Sequence, residues 1–192
     1  RVYKPTLRAG AGLQPAPRPL FGQDLKCRAR SHTIESTINP IEYTQMNRII
    51  RYQGAIVRDG QILLIRQRQH DTGESYWLFP GGGREEGETE DGCVQREMWE
   101  ETNLHVSVER LLLDEPTESG AVYTRRRTFL CTVLAGVAAP GYEPEEDAAA
   151  SYGIVEVGWF DLADESGWPV LVKEDNITYP QLLGVQRALG YL

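Results

Sequence analysis

The chain has 192 residues, of which 41% are hydrophobic and 25% are charged, a composition typical of a globular protein with one domain of ordinary size. Its formal net charge of −8 argues against a general nucleic-acid partner, because an acidic protein repels the phosphate backbone. No apolar run approaches the roughly 18 residues of a membrane span, and the first residues lack a secretory pattern. We therefore predict a cytoplasmic protein with no membrane partner.

The first 46 residues differ from the rest in composition and charge. Residues 1–48 contain eight Lys and Arg against three Asp and Glu, whereas the remainder contains 12 against 25. The stretch AGAGLQPAPRPLFGQ is rich in Pro, Gly and Ala, and no sustained periodicity precedes Asn47. We predict an N-terminal extension over residues 1–46 and a folded domain over 47–192. An arm that docks on the body or forms a homodimer is the alternative for the extension.

The first half of the predicted domain contains three strands and one helix. RIIRYQGAIVR and QILLIRQRQ are β-rich runs joined by Asp59-Gly60, a strong hairpin signal. YWLFP is a short strand that leads into three consecutive glycines, which we predict to form a loop before the next helix. Thr89 can cap a helix over residues 90–102, whose first turn carries Glu90 and Asp91, where the helix dipole favours acids.

The second half continues with strands and ends in a helix. HVSVERLLLDEP and AVYTRRRTFLCTVLAG are strands, followed by the acidic loop GYEPEEDAAASYG and the strand IVEVGWFDL. PQLLGVQRAL is an amphipathic helix with Pro at its start. Strands outnumber helices, which lie between and after them, so the predicted fold class is α/β with a mixed β-sheet flanked by helices.

The predicted helix over residues 90–102 places three carboxylates on one face. At about 100° per residue, Glu101 lies near +40° from Glu97, and Glu100 lies near −60°. Like charges at this spacing repel, so something must offset their crowding. Clustered carboxylates beside the sheet-facing side either take up protons or hold cations. Hard divalent ions such as Mg²⁺ or Mn²⁺ prefer oxygen ligands, and Mg²⁺ is usually shared with substrate phosphates.

A long motif runs from Gly82 to Leu104. Gly82 is followed after five residues by Glu88, and after seven more by REMWEETNL. This pattern resembles the Nudix box, and every fixed position matches except Asn103, which stands where the family has glycine. Asn is the usual substitute for Gly in the left-handed conformation beyond a helix end, so we expect Asn103 to preserve the loop. The resemblance covers about residues 48–191 and implies a Nudix-like α/β/α sandwich with a mixed sheet.

The resemblance to the Nudix family implies a role for each residue of the motif. Glu97, Glu100 and Glu101 match the family's metal ligands. Glu88 matches an upstream acid, which binds the metal less directly than they do or braces the loop that precedes the helix. Arg96 matches an arginine that pairs with a motif glutamate and orients it. The implied reaction is Mg²⁺- or Mn²⁺-dependent hydrolysis of a small-molecule diphosphate, usually a nucleoside diphosphate derivative. The expected catalytic residues are Glu97, Glu100, Glu101 and Arg96. The expected metal ligands are Glu97, Glu100, Glu101 and Glu88. The expected substrate-binding residues are Gly81, Gly82 and Gly83, because glycine lets the backbone come close to a ligand.

The general base stays open at this point. A glutamate of the motif can serve, or an acid of the stretch EPEED before the IVEVGWF strand, where a solvated loop is the default interpretation. The loop acids are Glu143, Glu145, Glu146 and Asp147.

Other polar and aromatic side chains are assigned structural roles. On a strand, Arg125 and Arg127 share one face and Arg126 lies on the other, and pairing with nearby acids is favoured over phosphate contact. The cysteines are too dispersed for disulfides or a zinc site and are interpreted as reduced, mostly buried thiols. Core packing is favoured over base stacking for the aromatic residues Tyr76, Trp77, Tyr123, Trp159 and Trp168.

Two further classes of function are weighed against hydrolysis. A Nudix-like nucleotide-binding or regulatory module without turnover is the main alternative, but such a module is expected to lose acids of the motif. An isomerase on a related fold needs a catalytic Cys or further acids that the sequence does not place.

Overall fold

A computed structural model describes residues 49–117, 123–144 and 146–192. The predicted extension over residues 1–46 lies outside the described residues, as does Cys27, so the boundary at residue 47 stays a prediction. Within these three ranges, no helix combines the length and the apolar character needed to cross a lipid bilayer.

Seven strands in the described part of the chain form one mixed sheet. They are β1 (Ile50–Arg58), β2 (Gln61–Gln69), β3 (Ser75–Leu78), β4 (Gly81–Gly83), β5 (Leu104–Pro116), β6 (Arg125–Gly136) and β7 (Tyr152–Asp161). The order is β3-β2-β1-β6-β5, with β4 paired to β1 and β7 paired to β2. The β1–β6 pair is parallel and the other pairs are antiparallel.

Helices cover both faces of the sheet. They are α1 (Glu90–Thr102), α2 (Glu146–Ser151), α3 (Val170–Lys173) and α4 (Thr178–Leu189), with a 3₁₀ turn at Glu165–Gly167. Val94 and Met98 of α1 belong to one buried apolar cluster. Val172 of α3 and Leu182 of α4 belong to a second cluster. The two clusters lie on opposite sides of the sheet, which confirms the predicted α/β/α sandwich.

Strand β2 shows why the apolar runs are continuous rather than alternating. Its Leu63 and Ile65 belong to the cluster under α1, whereas Ile62 and Leu64 belong to the cluster under α3 and α4. Successive side chains of a strand point to opposite faces, so a strand covered on both sides must be apolar at every position. The run ILLI therefore marks a central strand of the sandwich.

The predicted turn and helix ends are confirmed. Asp59 and Gly60 both have positive φ, 52° and 76°, as a two-residue hairpin turn requires, and the flanking Arg58 pairs with Gln61. Asn103 has φ 61° and ψ 21°, and its N–H donates to the carbonyl oxygen of Trp99 at 3.0 Å. Asn103 therefore takes the left-handed conformation that was expected at the position of the family's glycine.

The structure differs from the sequence predictions at three places. The three glycines were expected as a loop, but they form β4 because their backbone pairs with residues 51–53 of β1. Residues 146–151, expected as part of an acidic loop, form α2, whose three alanines are strong helix formers. Helix α4 begins at Thr178, two residues before Pro180, so that Pro180 lies in its first turn.

Candidate active site

Helix α1 turns two of its glutamates toward the sheet. Glu97 and Glu101 are one helical turn apart and are 9% and 2% exposed, although both are acids. The helix start is fixed locally, because the Thr89 hydroxyl accepts a hydrogen bond from the Gly92 N–H at 3.0 Å. The cap therefore sets which positions of α1 face β4.

Arg96 is the centre of the acid cluster. Its Nε and Nη2 donate to the two carboxylate oxygens of Glu88, at 3.0 and 3.2 Å. Its Nη1 donates to Glu97 Oε1 at 2.8 Å and to Glu100 Oε2 at 3.0 Å. Its Nη2 also donates to the Gly83 carbonyl oxygen at 3.0 Å. One guanidinium group thus holds three carboxylates and the end of β4 in a single arrangement.

The glycines of β4 pack directly against the acids. The Gly81 N–H donates to Glu101 Oε2 at 2.6 Å, which fixes that carboxylate. A Cβ atom at residue 82 would lie 2.3 Å from Glu97 Oε1 and 2.7 Å from its carboxyl carbon. A side chain at residue 82 would therefore displace the Glu97 carboxylate, a constraint that the sequence alone did not reveal. Substrate binding by Gly81, Gly82 and Gly83 stays a prediction.

Replacing Gly82 with alanine is expected to reduce kcat at least about tenfold, because displacement of a positioned group by about 1 Å can cost 100-fold. The new methyl group must push the Glu97 carboxylate away from its place beside Arg96. Steady-state kinetics on a diphosphate that the wild-type protein hydrolyses measures the loss.

Gly167→Ala is the matched control, since a Cβ atom there meets no heavy atom within 4 Å. Equal activity of the two variants would contradict the inferred constraint on Glu97.

Burial governs the protonation of the acids. Burial raises the pKa of Glu97, although Arg96 and Arg51 partly offset it. Burial also raises the pKa of Glu101, offset by Arg51 and reinforced by the charge of Glu97. Burial acts in the same direction on Glu88, but its hydrogen bonds from Arg96 and from the Glu85 N–H hold its pKa below the usual value. At Glu97 and Glu101 the neighbouring arginines therefore do not fully offset the effect of burial on the pKa.

The charge balance of the cluster suits a divalent cation. Glu88, Glu97, Glu100 and Glu101 carry four negative charges when ionised, against the guanidinium group of Arg96 and that of Arg51, leaving two negative charges. Carboxylate oxygens are also the ligand type that Mg²⁺ and Mn²⁺ prefer.

In this structure the motif glutamates are arranged around the guanidinium group of Arg96, which neutralises part of their charge. In the described ranges, no group of three or more His, Cys, Asp or Glu side chains converges on one point that could hold a metal ion. A cation at these residues must therefore replace part of the neutralisation that Arg96 provides.

Arg51 of β1 is a site residue that sequence reasoning missed. Its Nη2 donates to the Phe79 carbonyl oxygen at 3.5 Å, and its guanidinium carbon lies 5.7 Å from the centre of the Tyr123 ring. Burial disfavours its charge, but Glu101, Tyr123 and Glu97 outweigh that effect and raise its pKa. No motif signals Arg51, because only the sheet brings it next to the acids of α1.

The segment after β6 delivers a further acid to the site. Its backbone N–H groups cap the last turn of α1: Ala139 donates to Thr102, Gly141 to Glu101 and Tyr142 to Glu100, at 2.9–3.1 Å. The next residue, Glu143, accepts a hydrogen bond from the Tyr152 hydroxyl at 2.8 Å. Of the other loop acids, Glu146 is exposed, and Glu145 and the side chain of Asp147 lie outside the described part of the chain.

The predicted alternation of the three arginines on β6 is confirmed. Arg125 and Arg127 both contact Asp114, and Arg127 also pairs with Glu90 of α1. Arg126 lies on the other face, where it lines a cavity. Cys93 and Cys131 are buried free thiols, as predicted.

Comparison with known proteins agrees with the fold and the motif. The family model of the NUDIX domain matches residues 50–181. A MutT-like protein of Streptomyces ambofaciens is 44% identical over 59 residues, which cover 30% of this chain and 36% of that protein. An RNA pyrophosphohydrolase of Psychrobacter sp. (strain PRwf-1) is 44% identical over 46 residues, which cover 24% of each chain. The chain thus matches only about a quarter to a third of the length of these relatives.

A solved structure of a UDP-X diphosphatase resembles this fold, with a TM-score of 0.55 and 27% identity over 74% of this chain and 63% of that one. Fold, motif and family model agree on the class: an α/β/α sandwich with a Nudix box. The chain belongs to the Nudix family.

Proposed function

We propose that this protein is a metal-dependent Nudix pyrophosphohydrolase that hydrolyses a nucleoside-diphosphate-linked or similar small diphosphate. The observation that carries the proposal is the intact set of four motif glutamates. Arg96 holds three of them, the Gly81 N–H holds Glu101, and two negative charges are left over when all four are ionised. A nucleotide-binding module without turnover has no evident need for four clustered carboxylates, two of them buried.

Glu97, Glu100 and Glu101 are the proposed metal ligands, with Glu88 as the acid that positions Arg96. Mg²⁺ or Mn²⁺, when bound, would neutralise phosphate oxygens and help to activate the attacking water. The Gly81 N–H orients Glu101, and Arg96 orients Glu97 and Glu100. Preorganised charge of this kind lowers the barrier because little reorganisation is needed during the reaction.

Arg51 and Glu143 are proposed to act at the edge of the cluster. Arg51 carries a half-buried positive charge that interacts with Glu97 and Glu101, where it can bind a phosphate oxygen of the substrate. Glu143 is held by Tyr152, and its charge contributes to the raised pKa of Glu101, after burial and the charge of Glu97. Glu143 is thus the loop acid best placed to accept a proton from water, with a motif glutamate as the alternative base.

The test is turnover of a substrate panel with and without metal. ADP-ribose, dinucleoside polyphosphates, nucleotide sugars and oxidised dNTPs are incubated with the protein in Mg²⁺ or Mn²⁺, and the products are separated chromatographically. At least one compound is expected to be hydrolysed, and EDTA is expected to lower the rate at least about 100-fold. Tight binding of one compound without turnover of any would instead support the regulatory module.

Metal binding itself is measured by titration calorimetry, independently of turnover.

The cytoplasmic location and the homodimeric arm stay predictions from the sequence.

A further inference from the structure

The chain between β6 and α2 closes the end of α1 that carries the motif glutamates. Residues 137–142, here called the capping segment, donate three backbone hydrogen bonds of 2.9–3.1 Å to α1: from Ala139 to Thr102, from Gly141 to Glu101 and from Tyr142 to Glu100. The acceptors are carbonyl groups that the last turn of a helix leaves without intrahelical partners. The capping segment is therefore attached to the main chain of two glutamates whose side chains are proposed to hold the metal.

Gly141 sets how closely the capping segment lies on α1. A Cβ atom at residue 141 would lie 1.8 Å from the Glu100 carbonyl oxygen and 2.8 Å from the Glu101 carbonyl carbon. Both atoms belong to the helix backbone, which cannot move aside as a flexible side chain can. A larger residue would therefore lift the capping segment, and Glu143 with it, away from α1.

Tyr152 holds the Glu143 side chain from the sheet. Tyr152 is the first residue of β7 and pairs with Gln69 at the end of β2. Its hydroxyl donates to Glu143 Oε2 at 2.8 Å. The adjoining end of α2 is fixed as well, because the His70 N–H donates to the Ser151 carbonyl oxygen at 2.9 Å. The phenol group therefore projects from a paired strand rather than from a loop.

The Tyr152 hydroxyl is suited to orient a carboxylate because it keeps its proton. Burial raises its pKa, and the hydrogen bond to Glu143 and the charge of Glu143 raise it further, whereas Arg51 lowers it. A phenol that stays protonated at neutral pH is a lasting hydrogen-bond donor. Tyr152 can therefore hold the Glu143 carboxylate but cannot itself serve as the base.

Tyr152 and Glu143 both interact with the acid cluster. Electrostatic interactions connect Tyr152 with Arg51 and Glu101, and they connect Glu143 with Glu101. Glu143 is thus held at the edge of the cluster by two anchors, the capping segment on α1 and the phenol group on β7. A general base must be held within hydrogen-bond reach of the proton that it takes, and two anchors on different elements provide that restraint.

We infer that Tyr152 is a positioning residue that acts through Glu143: together with the capping segment, its hydroxyl orients the Glu143 carboxylate toward the water that attacks the substrate. The inference rests on the proposed function, in which Glu143 accepts a proton from that water. It adds that this loop acid, rather than a motif glutamate, is the base.

The test is a double-mutant cycle with Tyr152→Phe and Glu143→Gln. Steady-state kinetics in Mg²⁺ uses the compound of the substrate panel that the wild-type protein hydrolyses fastest. Glu143→Gln is expected to lower kcat about 100-fold, the lower end of what a general base contributes. Tyr152→Phe, which keeps the ring, is expected to lower kcat about tenfold and to change KM less than twofold. In the Glu143→Gln background, Tyr152→Phe is expected to change kcat less than about twofold, because the group that it positions is no longer a base.

Tyr179→Phe is the matched control. The Tyr179 hydroxyl donates to Glu165 Oε2 at 3.0 Å, so this variant loses the same type of hydrogen bond from a half-buried tyrosine. Glu165 lies in the 3₁₀ turn at Glu165–Gly167, outside the acid cluster. Wild-type kcat is expected for this variant even if its melting temperature falls.

Two further measurements do not depend on turnover. Calorimetry is expected to show that Tyr152→Phe binds Mn²⁺ within about twofold of the wild-type affinity, because Tyr152 acts on Glu143 and not on the metal ligands. In crystal structures, the Glu143 carboxylate is expected to lie beside Tyr152 in the wild-type protein and to be displaced by about 1 Å or more in Tyr152→Phe.

Wild-type kcat in either single variant overturns the inference, and so does a loss from Tyr152→Phe that persists undiminished in the Glu143→Gln background. Much weaker Mn²⁺ binding by Tyr152→Phe also overturns it. If Tyr152→Phe does not fold, Gly141→Ala, which displaces the capping segment, takes its place in the cycle. Turnover that neither variant impairs contradicts only this inference. If no compound is hydrolysed, the proposed function fails, and the crystal structures still decide whether Tyr152 holds Glu143.

Discussion

Replacing Glu100 with glutamine is expected to lower kcat about 1,000-fold, equivalent to about 4 kcal/mol of transition-state stabilisation. Glu100 Oε2 accepts a hydrogen bond from Arg96 at 3.0 Å, and the Glu100 side chain is only 14% exposed, so glutamine keeps the shape of the side chain in place. The substitution removes one negative charge from the cluster, and a divalent cation is held less strongly. Steady-state kinetics measures the loss, and calorimetry with Mn²⁺ is expected to show weaker binding, by about tenfold.

Asp91→Asn provides the comparison for this variant. Asp91 lies on the same helix, in its first turn, and is exposed and outside the cluster. Its replacement also removes one negative charge from α1, so a general charge effect would appear in both variants. Wild-type turnover in Glu100→Gln would show that Glu100 does not act in catalysis.

Replacing Arg96 with alanine is expected to impair both activity and stability. The substitution leaves Glu88, Glu97 and Glu100 without their shared partner and frees the Gly83 carbonyl oxygen of β4. Removing one partner from a buried ion pair typically costs about 3 kcal/mol in the free energy of unfolding, and loss of carboxylate orientation is expected to lower kcat about 100-fold. Urea denaturation and steady-state kinetics measure the two effects.

Arg125→Ala and Arg96→Lys separate charge from geometry. Arg125 pairs with Asp114 on an exposed part of β6, so its loss is expected to change the free energy of unfolding far less. Arg96→Lys keeps the charge but cannot contact both Glu88 oxygens through a planar fork, so partial recovery of stability with little recovery of kcat is expected. Full activity in Arg96→Ala would refute the orienting role of Arg96.

Much of the fold was predictable from the sequence because its determinants are local. The Asp59-Gly60 turn, the Thr89 cap and the Asn103 helix end each depend on the conformational preferences of a few neighbouring residues, and the structure confirms all three. The glycines of β4 were less predictable, since their strand pairing depends on a partner, β1, about 30 residues earlier in the chain. The helix at 146–151 was hidden in a stretch whose acidic and turn-forming residues suggested a loop.

The candidate active site likewise has a part that the sequence predicted and a part that only the fold revealed. The sequence by itself determined the family motif, because Glu88, Arg96, Glu97, Glu100 and Glu101 lie within 14 consecutive residues. Helical periodicity then puts Glu97, Glu100 and Glu101 on one face. Only the tertiary structure decided which of these acids are buried and what else surrounds them. Arg51, Tyr152 and the amide pair of Gln53 and Gln181 meet across the sheet, the last pair 128 residues apart in sequence. Contacts at such separations depend on strand order and on the packing of α4, which no local pattern encodes, so the surroundings of the motif had to come from the fold.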